Sequence, residues 1–328
     1  MNDTVSENVS STSSLPQLPK PQENSWLTTY AGSVEVMLAA TALFGNTLFI
    51  MVFCLQKKLR TTTNMMLVNL SITDLISPIL VSSVAADSFF FRRWRASFSY
   101  CALHNALHPT LLEVSLWLTA CIAVNRYICI VHNDKYHRLN NKVTLSIAIA
   151  ICWCFPITLN VYLFSEPNSV VYVPDLLACL ATVDKRVFTA LLVAPSLVTV
   201  ASYFFIFLFI RRSRQRIQAH GEEVQSNNKA PSLQEIRTLK FLVALFLLII
   251  LGYLPIPVSV AILQRLGKSP TSVYVAVYPS LHIAGSINPI LYGMSNKSVR
   301  ESYKFLLTGQ MIFGRTCCTV QQEQSSTS

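Results

Sequence analysis

The run Phe241-Leu242-Val243-Ala244-Leu245-Phe246-Leu247-Leu248-Ile249-Ile250-Leu251 is apolar at every position. A strand of a membrane barrel alternates in polarity every second residue, so this run reads as a helix. It sits within a span, residues 234–263, that exceeds the roughly 20 residues a helix rising about 1.5 Å each needs to cross about 30 Å of hydrocarbon. Six further stretches meet the same condition: 30–55, 64–90, 98–131, 143–164, 187–209 and 273–294. The expectation is an all-α integral membrane bundle of seven transmembrane helices (30–294), preceded by an outer tail (1–29). A short cytoplasmic amphipathic helix on the membrane surface (295–308) and an inner tail (309–328) follow, both tails expected to be disordered.

Composition agrees. Of 328 residues 52% are hydrophobic and only 13% charged, against about 25% charged in soluble domains. The net charge of +10 is sorted by loop. Lys57, Lys58, Arg60, Lys135, Arg138, Lys142, Arg211, Arg212, Lys297, Arg300 and Lys304 fall on one face, which the positive-inside bias makes cytoplasmic. The N-terminus is then extracellular and the compartment the plasma membrane. A nucleic-acid partner is not expected; the lipid bilayer is.

The first 25 residues are polar and lack a cleavable-signal pattern. Asn2 and Asn8 open N-glycosylation sequons there. Cys101, at the outer end of the third span, and Cys179, in the following outer loop, lie where the environment is oxidising and are expected to be bridged. Cys317 and Cys318, near Arg315 in the inner tail, point to S-acylation. There is no nucleophile, metal or acid–base constellation for an enzyme.

An ionisable group at mid-membrane costs roughly 2.5–3.5 kcal/mol to insert, which makes Asp74 in the second span a functional suspect. Asn46, Ser115 and Asn288 lie at similar depth, and the four together offer oxygen ligands to a sodium ion; a packing network of hydrogen bonds is the alternative. Pro156, Pro195, Pro255 and Pro289 each delete a backbone donor inside a span, which makes those helices able to bend.

With these residues in view, the chain resembles the rhodopsin-like family of G-protein-coupled receptors. Gly45-Asn46, Asp74, Trp94, Cys101 with Cys179, Asn125-Arg126-Tyr127, Trp153, Pro195, Tyr203, Pro255 and Asn288-Pro289-Ile290-Leu291-Tyr292 carry the resemblance in order along all seven spans. It implies a receptor that senses an extracellular ligand and activates a heterotrimeric G protein through outward movement of helix six. In that reading Arg126 pairs with Glu235 at rest, and Tyr127, Tyr203, Asn288, Pro289 and Tyr292 belong to the coupling and switch machinery. Glu235 is alternatively a solvated charge at a helix start. The segment from Asn125 through Lys142, with Tyr292-Gly293 and Arg300, resembles melatonin receptors on the inner face, which implies a Gi-type partner; arrestin and a receptor kinase follow from the family.

Departures narrow the ligand. Leu163, Ala181 and Leu191 stand where melatonin receptors place polar contacts, which disfavours melatonin. His108 stands where amine receptors carry an aspartate, and Glu113, more than a turn deeper, is the alternative counter-ion. His282 stands where opsins carry their retinal lysine, so no retinal Schiff base is expected. The lining is expected from His108, Leu112, Tyr253, Ile256, Tyr278 and His282. His104, His108 and His282 offer proton sensing or simple packing. Gly252-Tyr253 replaces the usual Cys-Trp of helix six, and Asn125 replaces the aspartate beside Arg126. The rival readings are a secondary transporter, for which no internal symmetry is visible, and a non-signalling decoy receptor.

Overall fold

The computed structural model describes residues 25–165, 170–173, 176–181, 185–220, 233–266 and 271–308. Helix one is Ser25–Leu55, helix three Phe98–Val131, helix four Lys142–Phe164 and helix five Lys185–His220. Helix two covers Thr62–Phe91, its middle wound as a π-turn over Pro78–Ser82. Polar side chains start several of these rods. Thr61 Oγ1 accepts from the Asn64 amide, Ser97 Oγ from Tyr100 and Asn141 Oδ1 from Thr144, each satisfying a donor that the first turn leaves open. Six described helices are long and apolar enough to cross a membrane. Large apolar side chains such as Met37, Phe44, Ile151, Val161, Phe204 and Leu251 are exposed along them, as lipid-facing surfaces require.

Two crossings are divided rather than continuous. Helix six consists of Leu233–Tyr253 and Pro255–Arg265, because neither Pro255 nor Pro257 can donate to the ladder. Helix seven consists of Thr271–Val277 and Ser280–Ser295, a correction to the unbroken span 273–294. Pro279 interrupts the ladder there, and tight bonds from Leu281 N to Tyr278 O (3.1 Å) and His282 N to Pro279 O (3.1 Å) carry the chain round the corner. The Gly252 departure is explained at this corner. A Cβ on Gly252 would lie 2.7 Å from the Ser280 carbonyl oxygen, and Ser280 Oγ donates to the Gly252 carbonyl at 2.7 Å. Only a residue without a side chain lets helices six and seven approach so closely.

Other features were not anticipated. Helix one starts at Ser25, ahead of residue 30. Helix five runs to His220, eleven residues beyond the expected end of its span at residue 209. Asn133–Leu139 forms a short helix in the second inner loop, and Val170–Val173 (β1) pairs antiparallel with Ala178–Ala181 (β2) in the second outer loop. The short amphipathic helix expected after the last span is present as helix eight, Lys297–Leu307, capped by Asn296 Oδ1, which accepts from Ser298 and Val299.

Helix three is the axis of the bundle. Val114, Leu118, Ile122 and Ala123 are shut from solvent, and the helix touches helices two, four, five and six. Gly45 brings helix one against helix seven: a Cβ there would lie 2.9 Å from the Pro289 ring.

Candidate functional site

A narrow cavity of about 50 Å³ runs down the inside of the bundle. Its upper wall includes His108, Leu112, Tyr253 and His282, and its lower wall Asp74, Ser115 and Asn288. The sequence treated these as two separate sets; the structure places both on one enclosed space. Tyr278 belongs to an apolar cluster with Phe89, Tyr274 and Leu281, and Ile256 packs against it; of these Leu281 lines the cavity, and Tyr278 and Ile256 do not.

At the upper end three rings converge on His108: Tyr253 at 6.0 Å between centroids, Tyr278 at 6.4 Å and His282 at 5.8 Å. His282 Nδ1 meets Glu35 Oε1 of helix one at 3.1 Å, and Glu35 has no solvent exposure at all. Sequence reasoning passed over Glu35. The signal was present: it is a carboxylate inside an apolar span, the criterion that singled out Asp74. Buried Nε2 atoms of His108 and His282 remain without a partner and adjoin the same region. His104 instead lies edge-on to Trp94, with ring centroids 5.4 Å apart.

Glu113 does not compensate for the missing aspartate. Its Oε2 accepts from Asn160 Nδ2 of helix four at 3.0 Å, and both side chains are buried. Five residues beyond His108, at 100° per residue, the side chain leaves helix three on the far side.

At the lower end Asp74 Oδ2 accepts from Asn288 Nδ2 at 2.8 Å, joining helices two and seven. Ser115 reaches this layer through Thr73, with 3.0 Å between hydroxyls. Asn46 reaches it through the chain, donating to the Gly285 carbonyl at 3.0 Å. A Cβ on Gly285 would lie 2.9 Å from Asp74 Oδ1, so this glycine leaves the carboxylate its room. The donor set fits a small hard cation: Asp74, Ser115 and Asn288 present oxygens to one cavity, and the buried Oδ1 of Asn288 has no partner. Asn46 is not part of the cavity wall.

At the inner end Arg126 Nη2 donates to Thr63 Oγ1 of helix two at 2.6 Å. With asparagine at 125 the guanidinium lacks a neighbouring carboxylate and takes a hydroxyl on helix two. The Glu235 side chain, and with it the expected pair with Arg126, lies outside the described residues. Tyr127 meets His132 Nε2 at 3.1 Å. Tyr203 buries a hydroxyl that has no partner among the described residues, the Tyr292 hydroxyl faces Ser71, and the Tyr292 ring is held between Phe49 and Phe241 at 4.5 and 5.7 Å. On the outer side Cys101 and Cys179 form a disulfide with Cα atoms 5.8 Å apart, tying β2 to helix three. Asn2, Asn8, Cys317 and Cys318 lie outside the described residues.

Comparison with known proteins matches residues 45–292 to the family described as 7 transmembrane receptor (rhodopsin family). The chain is 25% identical to melatonin receptor type 1A of Phodopus sungorus, over 90% of this chain and 85% of that protein. It is also 25% identical to adenosine receptor A3 of Ovis aries, over 86% and 91%. With G-protein coupled receptor moody of Drosophila melanogaster it shares 25% identity over 88% of its length but spans only 53% of that larger protein. The crystal structure of squid rhodopsin superposes with a TM-score of 0.73 at 19% identity, covering 91% of this chain and 89% of that one. The chain therefore belongs to the rhodopsin family of G-protein-coupled seven-transmembrane receptors, multi-pass proteins of the membrane.

Proposed function

We propose that this receptor binds an extracellular ligand at His108, Leu112, Tyr253, Ile256, Tyr278 and His282 and activates a heterotrimeric G protein, of Gi type, at its inner face. The observation that carries this reading is the single cavity joining His108 and His282 to Asp74 and Asn288. A ligand that moves Tyr253, at the helix-six break, or His282, just beyond the helix-seven break, acts on segments already freed from a continuous backbone ladder. Such segments hinge at low cost. Rotation of helix seven strains the Asp74–Asn288 bond, and outward motion of helix six opens the cytoplasmic groove beside Arg126. Tyr203, whose hydroxyl has no described partner at rest, and Tyr292, whose hydroxyl faces Ser71, then turn toward Arg126.

Asp74, Ser115 and Asn288 would hold sodium, which supplies positive charge beside the Asp74 carboxylate and favours the resting arrangement. The inner-face positive charge supports an N-terminus outside; in this reading the receptor sits in the plasma membrane with glycans on Asn2 and Asn8 and acyl chains on Cys317 and Cys318. Arrestin and a receptor kinase complete the set of partners. Melatonin and biogenic amines are disfavoured as ligands: Leu163 and Leu191 stand where melatonin receptors place polar contacts, and Glu113 is engaged with Asn160.

The test is a separation measured between labels at Val131→Cys and Arg237→Cys in membrane discs while Gi exchanges nucleotide, with indoles, lipids, acids and peptides screened as ligands. The separation is expected to grow with exchange. Exchange at constant separation overturns the mechanism, and exchange by other subtypes alone overturns the Gi assignment.

A further inference from the structure

Two thiols that belong neither to the upper pocket nor to the Asp74 layer face each other across helices three and four. Cys121 Sγ and Cys152 Sγ lie 3.4 Å apart, in S–H···S contact. Their access differs. Cys152 is sealed in the core at 2% exposure, whereas Cys121 is only part-buried and lines a second cavity, of about 320 Å³. From Cys121 that cavity runs along helix three to Asn125 and on to Asn140, Asn141 and Thr144, where the second inner loop meets helix four. At about 30 Å³ for a molecule of water size, it has room for several small polar molecules. The amides and the hydroxyl at its inner end offer them hydrogen bonds on the way in from the cytoplasm.

A disulfide needs its sulfurs about 2.05 Å apart, so this pair must close by about 1.4 Å from its 3.4 Å contact. Helix four can yield at that point. Pro156, four residues beyond Cys152, has no N–H, and the Cys152 carbonyl therefore lacks the helical bond that would otherwise hold it. An isolated thiol in apolar surroundings oxidises slowly. Here an S–H from Cys152 supports negative charge on the Cys121 sulfur as it attacks. Once Cys121 is oxidised, the thiol that resolves it is already in contact.

We propose that Cys121 and Cys152 form a disulfide between helices three and four when hydrogen peroxide enters the cavity, with Cys121 as the attacking thiol and Cys152 as the resolving one. In the first step the Cys121 sulfur attacks one peroxide oxygen. An S–O bond forms, the O–O bond breaks, and the thiol proton leaves with the displaced hydroxide as water. In the second step the Cys152 sulfur attacks the sulfenic sulfur: the S–S bond forms, the S–O bond breaks, and the Cys152 proton leaves with the hydroxyl as a second water. Two sulfurs are oxidised and one peroxide is reduced. Cytosolic thiols reverse the bond by exchange. The bridge pins helix four to the axis of the bundle, five residues and about 7.5 Å along helix three from Arg126. Peroxide on the cytoplasmic side thereby stiffens the inner half of the bundle, independently of the ligand pocket.

The test treats full-length receptor in membrane discs with hydrogen peroxide, blocks the remaining thiols with N-ethylmaleimide and digests it without reduction for mass spectrometry. The expected product is a joined pair of peptides holding Cys121 and Cys152, lighter than the separate peptides by two hydrogens and parted by dithiothreitol. Peroxide should raise the unfolding temperature of the parent by several degrees and leave that of Cys152→Ser unchanged. Cys152→Ser should keep Cys121 as a sulfenic acid that dimedone labels, and Cys121→Ser should leave Cys152 unlabelled, because Cys121 alone of the two borders the cavity. Where a variant loses the Cys101–Cys179 bond or a monodisperse profile, the peptide pair and the unfolding temperature of the parent decide. Both thiols alkylated after peroxide, a bridge from either to Cys54, Cys129 or Cys154, dimedone on Cys152 in Cys121→Ser, or a bridge with no rise in unfolding temperature overturns the proposal.

Discussion

The middle of the bundle and its inner end use polar groups in opposite ways. In the middle, Asp74 is bonded to Asn288, Thr73 to Ser115 and Asn46 to Gly285, so that helices one, two, three and seven are tied across the axis. At the inner end, Arg126 makes one described bond, to Thr63, the Tyr203 hydroxyl makes none, and the Tyr292 hydroxyl faces Ser71 without a full hydrogen bond. A sealed hydroxyl without a partner costs roughly 1–3 kcal/mol. The middle layer thus ties four helices together although Asn46 Oδ1 and Asn288 Oδ1 have no described partner, whereas the inner layer is joined across helices by fewer described bonds, and a rearrangement can improve it.

The heaviest blow to this contrast falls on Gly285. Gly285→Val puts branched carbon where the first atom already lies 2.9 Å from Asp74 Oδ1, and the carboxylate must leave Asn288. Overpacking of this kind costs about 1–3 kcal/mol, and the lost bond adds to it. Thermal unfolding in membrane discs should fall by several degrees, with the sodium dependence of stability abolished. An unchanged transition would mean that the middle layer is loose and the contrast false.

The outer extension of the middle layer is the Glu35–His282 contact. Glu35→Ala leaves a buried imidazole nitrogen without its partner at a cost of about 1–3 kcal/mol, read as a lower unfolding temperature. Glu35→Gln should recover part of the loss, since an amide oxygen still accepts. Equal losses in both variants would instead make the charge on Glu35 decisive.

How far this contrast could be read beforehand follows from what sequence encodes. Asp74 and Asn288 were legible because polar groups are rare in apolar spans, Arg126 through the family resemblance, and the first rule applied evenly would have found Glu35. The helix-six hinge was legible from Pro255. The helix-seven break at Pro279 was not, since a proline inside a span bends or divides it according to what the neighbouring helix accepts, and here Gly252 receives Ser280. Partner choice was also hidden. That Asn46 meets a carbonyl, that Glu113 turns to Asn160 and that Arg126 takes Thr63 depend on side-chain directions around each helix, which spacing along one chain does not give.

Thr63 tests the inner layer directly. Thr63→Val keeps the shape and removes the oxygen that accepts from Arg126 at 2.6 Å. A hydrogen bond to a charged group contributes about 1.5–3 kcal/mol. Freed from helix two, the guanidinium should favour the open inner end, and ligand-free nucleotide exchange should rise by about tenfold. A fall in basal exchange would show that the Thr63 contact belongs to the active arrangement.

The smallest effect on the resting receptor is expected at Tyr292. Its ring is 2% exposed and packed between Phe49 and Phe241, while its hydroxyl faces Ser71 without a full hydrogen bond. Tyr292→Phe keeps the ring and deletes only that hydroxyl, so resting stability should change by less than about 0.5 kcal/mol or rise slightly. Ligand-stimulated exchange should nonetheless drop, because the hydroxyl is required where helix seven has turned and Arg126 is within reach. The two readouts separate a polar group that supports the resting fold from one that stabilises only the rearranged state. A stability loss of about 1 kcal/mol or more, the size of a lost hydrogen bond, would show that Ser71 bonds that hydroxyl at rest and remove the asymmetry between the two layers.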